Sequence, residues 1–133
     1  DNTVYFCDFG LSECFKNNFI CNKYCGKITY QSPEIYNKAK YFDASKADIW
    51  SLGCILFLLH TGSPLYKRPT NDDPYYWNVI NGHTKRMVNS WGMKEYIDDT
   101  VYDLLSHIIV NENKRYNINQ ILNHVYLKNI KTY

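Results

Sequence analysis

Asp8 is the first residue whose type and setting could do chemistry. It follows the β-branched and aromatic run Thr3-Val4-Tyr5-Phe6-Cys7 and precedes Phe9-Gly10. A carboxylate at a strand end, freed by a nearby glycine, can act as a hard oxygen donor. A lone Asp-x-Gly is more commonly a surface turn, and both readings stand at this point. Glu34 follows Pro33 in what reads as the first turn of a helix. Asp48 lies at the N-terminal end of a long apolar segment, where a helix dipole favours an acid. Five cysteines, at positions 7, 14, 21, 25 and 54, form no C-x-x-C pair, so the paired spacing of a structural zinc site is missing. Cys14, Cys21 and Cys25 crowd one stretch and would be redox-sensitive if exposed as thiolates; ordinary reduced loop thiols are the plainer reading. His60, His83, His107 and His124 are scattered, with no metal-ligand spacing.

The elements that must position these groups read as mostly helical. Residues 3–7 have strand composition, and Asp8-Phe9-Gly10 breaks the run. No period holds from Leu11 to Gln31, which predicts a long loop. Ser32-Pro33-Glu34 reads as a helix start with a capping serine. Residues 37–45 look irregular. Lys46–Thr61 predicts a central helix, apolar all round and therefore buried, ended by Gly62-Ser63-Pro64. Asp73-Pro74 caps a third helix that Gly82 closes. Val101, Leu104, Leu105, Ile108 and Ile109 repeat at helical spacing, as do Ile118, Ile121, Leu122, Val125 and Tyr126.

The 133 residues, 15.8 kDa in mass, suit one domain with a real core. Aromatics at 17%, including 13 tyrosines, argue against bulk disorder. A net charge of +2 is too mild to argue for nucleic acid or a membrane surface as partner. The apolar run from Ile49 to Leu59 is too short to span a bilayer, which takes about 20 residues. No signal peptide is visible, and the reduced-thiol reading places the protein inside the cell, in the cytoplasm.

In order along the chain, the motifs resemble a protein kinase from the D-F-G motif to the end of its catalytic domain. Cys7-Asp8-Phe9-Gly10-Leu11 resembles D-F-G with its flanks. Cys25-Gly26-Lys27-Ile28-Thr29-Tyr30-Gln31-Ser32-Pro33-Glu34 resembles the substrate-facing loop ending in A-P-E, with serine for alanine. Asp48-Ile49-Trp50-Ser51-Leu52-Gly53 is similar to the D-x-W-S-x-G start of the central kinase helix. Gly62-Ser63-Pro64-Leu65-Tyr66 resembles a G-x-x-P-F turn, and Arg115 with Ile118, Leu122, His124 and Leu127 resembles the domain's closing motif. The resemblance covers about Val4 to Leu127.

It implies a mainly α, protein-kinase-like C-terminal lobe with a short N-terminal strand, a long activation loop and a buried central helix. Residues 1–133 would be a partial kinase domain, with an activation segment at about 8–34 and a helical lobe at about 35–127. The glycine-rich loop, the V-A-I-K lysine and the H-R-D-x-x-x-x-N loop are absent from these residues, so no catalytic base is assigned and the isolated segment is expected to be inactive. The implied activity is transfer of the ATP γ-phosphate to Ser/Thr hydroxyls of a protein substrate, with ATP and Mg²⁺ as cofactors. The alternative is a pseudokinase or interaction module without catalysis. By resemblance Asp8 holds the metal and so contributes to nucleotide binding, Phe9 packs inward, and Gly10 lets the motif swing. Tyr24, Lys27, Ile28, Thr29 and Gln31 face substrate. Glu34 and Arg115 form a buried ion pair, and Asp48 binds the backbone of the catalytic loop. Lys27 replaces the threonine usual in Ser/Thr members. Lys23 occupies the usual activating phosphosite, which it cannot serve; Ser12, Tyr24 and Thr29 remain candidate phosphosites. Leu58 stands where basophilic members often carry a glutamate.

Overall fold

Backbone N–H groups at a helix start need acceptors, and aspartates supply three of them. The computed structural model describes residues 3–16 and 18–128. In chain order these form β1 (Ile20–Cys21), α1 (Pro33–Tyr36), β2 (Phe42–Asp43), α2 (Ala44–Thr61), α3 (Pro74–Ile80), α4 (Thr84–Ser90), α5 (Asp99–Ile108), α6 (Ile118–Leu122) and α7 (Val125–Lys128). Asp43 accepts from Ser45 and Lys46, Asp73 from Tyr75 and Tyr76, and Asp98 from Thr100 and Val101. The Asp43 cap starts α2 two residues before the predicted Lys46. Gly62, at φ 68°, ends it in the left-handed region that glycine enters without a Cβ penalty.

The core forms where α2 meets α5. Trp50, Phe57, Val88 and Val101 are fully buried, and Leu104, Leu105, Ile108 and Ile109 join them. Each such side chain contributes about 1.5–3 kcal/mol of transfer free energy. The two helices approach so closely at Gly53 that a Cβ there would lie 2.5 Å from Ile108 Cγ2. Among the described residues no helix is long and apolar enough to cross a membrane.

Several local expectations are corrected. Residues 3–7 carry no strand, and Val4, Tyr5 and Phe6 are exposed. A strand needs a ladder partner, whereas the sheet among the described residues pairs β1 with β2 antiparallel, Ile20 opposite Asp43 and Cys21 opposite Phe42. Ser32 sits at the cap position of α1, yet its buried hydroxyl makes no cap bond and has no partner. α2 is not covered all round: Leu52, Ile55 and Leu59 share an exposed stripe. The single helix expected over Ile118–Tyr126 is two, because His124 turns its ring inward and its Nδ1 accepts the Tyr126 N–H at 3.2 Å. α4 was not anticipated, although Met87, Val88 and Trp91 before Gly92 carry its pattern.

Candidate functional site

Asp8 takes φ 61°, ψ 67°, a left-handed conformation few non-glycine residues adopt and aspartate tolerates better than most. Its carboxylate is exposed and has no hydrogen-bond partner among the described residues. A Cβ at Gly10 would sit 3.4 Å from Asp8 Oδ1, so the glycine leaves that oxygen open. An exposed, unshared carboxylate suits one oxygen ligand of a hard cation. Phe9 does not pack inward: it is 68% exposed, in a 3₁₀ turn over Phe9–Leu11 that lies outside the core cluster.

From Asp8 the chain runs through a segment tied at its edges rather than packed. Tyr24 donates its hydroxyl to the Ala39 carbonyl at 2.7 Å. Lys23 pairs with Glu13 at 2.7 Å, and that hydrogen bond raises the lysine pKa. The segment arches over a cavity of about 360 Å³ whose lining includes Gly10, Lys23, Cys25 and Asp48. Asp48 is exposed by area, yet its carboxyl is set back against this lining, and burial raises its pKa above the ordinary value. Among the described residues nothing donates a hydrogen bond to it.

The far end of the segment is fixed more firmly. Lys27 and Ile28 are exposed and Thr29 is half-buried in the 3₁₀ turn Ile28–Tyr30. Gln31 folds its amide back, Nε2 donating to the Cys25 and Gly26 carbonyls at 3.0 and 2.9 Å. Two α2-side hydroxyls then hold the backbone: Ser51 Oγ donates to the Tyr30 carbonyl at 2.8 Å, and Tyr66 to the Gln31 carbonyl at 2.9 Å. Tyr66 also accepts from Trp50 Nε1. Burial pushes the Tyr66 hydroxyl far up and the adjacent Cys54 thiol to about 11, so both stay neutral. The sequence named Trp50, Tyr66 and Gln31 in separate motifs but did not show that they join in one relay. Its signal was the tyrosine standing where the resembled turn has phenylalanine.

Glu34 and Arg115, 81 positions apart, meet as a two-pronged pair, Nη1–Oε1 2.5 Å and Nη2–Oε2 3.2 Å. The arginine side chain is fully buried and donates to the Lys46 and Val110 carbonyls. Its guanidinium lies over the Trp50 ring, 4.9 Å from the centroid.

Tertiary folding brings His124 to Asp103 and His107, which lie four residues apart on α5. Asp103, His107 and His124 bring donor atoms within 4.8 Å of one another. The amide of Tyr126 can only donate, so His124 Nδ1 accepts, and Nε2 carries the proton given to Asp103 at 2.9 Å. With both His124 nitrogens engaged, the group is a hydrogen-bonded pair seating α7 on α5 rather than an open ligand set.

Residues 1–127 match the family model described as the protein kinase domain. The DNA damage response protein kinase DUN1 of Saccharomyces cerevisiae is 31% identical over 132 residues, 98% of this chain and 25% of that protein. The serine/threonine-protein kinase DCLK3 of Homo sapiens is 31% identical over 128 residues, 95% of this chain and 19% of that protein. The serine/threonine-protein kinase KIN4 of Saccharomyces cerevisiae is 34% identical over 129 residues, 91% of this chain and 15% of that protein. The chain thus spans a quarter or less of the length of these curated relatives.

Proposed function

Because the chain belongs to the protein kinase family, we propose that it is part of an enzyme that transfers the ATP γ-phosphate to Ser/Thr hydroxyls of protein substrates. The observation that carries this reading is the unshared Asp8 carboxylate at the head of a segment whose other end is clamped to the helical lobe. Asp8 would contribute one oxygen ligand to Mg²⁺ bound with ATP. The metal, when bound, neutralises charge on the phosphates. Residues 25–31 would present the protein substrate, their backbone fixed by Tyr66, Ser51 and the Gln31 amide. Glu34 and Arg115 keep that end of the segment in place and take no part in the chemistry. The serine/threonine kinases among the relatives support the choice of acceptor.

Residues 1–133 contain no glycine-rich loop, no V-A-I-K lysine and no H-R-D-x-x-x-x-N loop. On this reading the chain is inactive alone, and the nucleotide-binding half of the machinery is supplied by other residues of a longer protein. An interior, cytoplasmic setting is supported by five free thiols, of which Cys7, Cys14 and Cys25 are exposed.

Steady-state kinetics of a kinase containing this segment test the metal role. Asp8→Asn keeps the size and one oxygen but removes the charge, and turnover should fall about 10²–10³-fold while circular dichroism stays unchanged. Turnover near that of the parent would overturn the metal assignment, and absence of turnover in the parent itself would leave the interaction-module reading.

A further inference from the structure

Beside α3 and α4 lie two adjoining cavities, of about 330 and 440 Å³. They share Tyr75 and Trp91, whose rings meet edge to face with centroids 5.6 Å apart. Pro64 and Met93 line the first cavity; Trp77 and Met87 line the second. Tyr75 is 39% exposed and Trp77 45%, so part of both rings faces solvent at the cavity walls.

The charge around these cavities is one-sided. Lys67 lines the first, and Arg86 with His83 lines the second; no carboxylate lines either. The neighbouring cations Arg68 and Lys85 are paired, with Asp72 and Asp99. Lys67 and Arg86 have no side-chain partner among the described residues. Asp73 offers them nothing, because it is buried and accepts from four backbone N–H groups, those of Lys67, Arg68, Tyr75 and Tyr76. One mainly apolar, aromatic pit and a second of mixed aromatic and polar lining, with unneutralised cations at their walls, call for an occupant that brings apolar side chains and negative charge together.

We infer that these paired cavities dock an acidic peptide segment of a protein partner, one aliphatic side chain entering each pit. The interaction goes beyond phosphate transfer and does not depend on it. A single nucleic acid strand suits the surface less well. Tyr75 and Trp91 meet edge to face rather than as successive stacking platforms, and two unpaired cations make no backbone-tracking stripe.

The test is fluorescence anisotropy on the 133-residue chain with a short fluorescein-labelled peptide, two leucines set among aspartates and glutamates. Saturable binding is expected, weakening as salt rises. Exchanging the leucines for alanine, or the acids for lysine, should each weaken it by about tenfold or more. Arg86→Glu and Trp77→Ala, both at exposed positions, should do the same, while Lys16→Glu on the distant segment should leave it unchanged. Circular dichroism confirms that each variant is folded. Equal affinity for the lysine-flanked peptide or for a labelled oligothymidylate would overturn the inference, as would an unchanged Arg86→Glu variant or the absence of saturable binding.

Discussion

No described residue from 3 to 31 is buried, whereas α2 and α5 alone bury Trp50, Phe57, Val101 and Leu104 almost completely. The two regions are held by different physics. The helical lobe is stabilised by apolar area removed from water, a contribution that is non-directional and scales with the area buried. The segment is held by a few directional bonds: the β1–β2 ladder, Tyr24 to Ala39, Tyr66 to Gln31, and Glu34 to Arg115. Its internal pair, Lys23 with Glu13, is solvent-exposed and belongs to a class of contact worth little. Local opening should therefore begin in the segment and stop at the seam where the two regions join. A segment held in this way can change conformation without melting the lobe.

The largest effect is expected where the seam is most buried. Arg115→Ala leaves Glu34 unpaired in a site where its side chain is 9% exposed, and strips donors from the Val110 and Lys46 carbonyls. Breaking such a pair from one side costs about 3–5 kcal/mol. The melting temperature of the 133-residue chain should fall by roughly 10–20 °C. An unchanged melt would mean that the pair does not join the two regions. Tyr66→Phe comes next. It keeps the ring and removes the hydroxyl, leaving Trp50 Nε1 and the Gln31 carbonyl unsatisfied, at about 1–3 kcal/mol. Hydrogen exchange should quicken at residues 25–31 and stay slow in α5. Equal acceleration in both would show that the lobe and the segment open together.

The same division decides what could be read from the sequence. α5 was legible because one-sided apolar burial writes a period into the chain, the body of α2 because its apolar run is long and ended by Gly62-Ser63-Pro64, and the Asp73 cap because capping is local. The split at His124 was not, since the ring that accepts the Tyr126 N–H is also held by a carboxylate 21 positions away on another helix. The strand expected at residues 3–7 failed for a related reason: composition marks β-propensity, but only a partner makes a ladder. The Glu34–Arg115 meeting could be anticipated only through the resemblance, because nothing local in either residue names the other. Phe9 shows the reverse error, a role carried over by resemblance that the packing of this chain does not display.

The smallest effect is the one whose sign carries the most information. Asp48 begins the exposed stripe of α2 that continues through Leu52, Ile55 and Leu59. Burial raises its pKa, and nothing among the described residues repays the lost hydration. An unfolded aspartate titrates near 3.9. With the folded value higher, the native state binds the proton more tightly. The favourable contribution is thus present below the unfolded pKa and is lost as pH rises through the folded one. Asp48→Asn removes this dependence. At neutral pH the variant chain should melt slightly higher than the parent, by about 1–2 °C given solvent screening at a surface position. Near pH 3.5 the two should coincide. In a longer kinase that supplies a backbone donor to Asp48, as the family resemblance implies, the same substitution should instead lower the melting temperature. Differential scanning calorimetry of both proteins at the two pH values separates the cases. A lower melting temperature in the 133-residue chain itself would show that Asp48 already has its partner, and that the stripe on α2 is not the open half of a larger core.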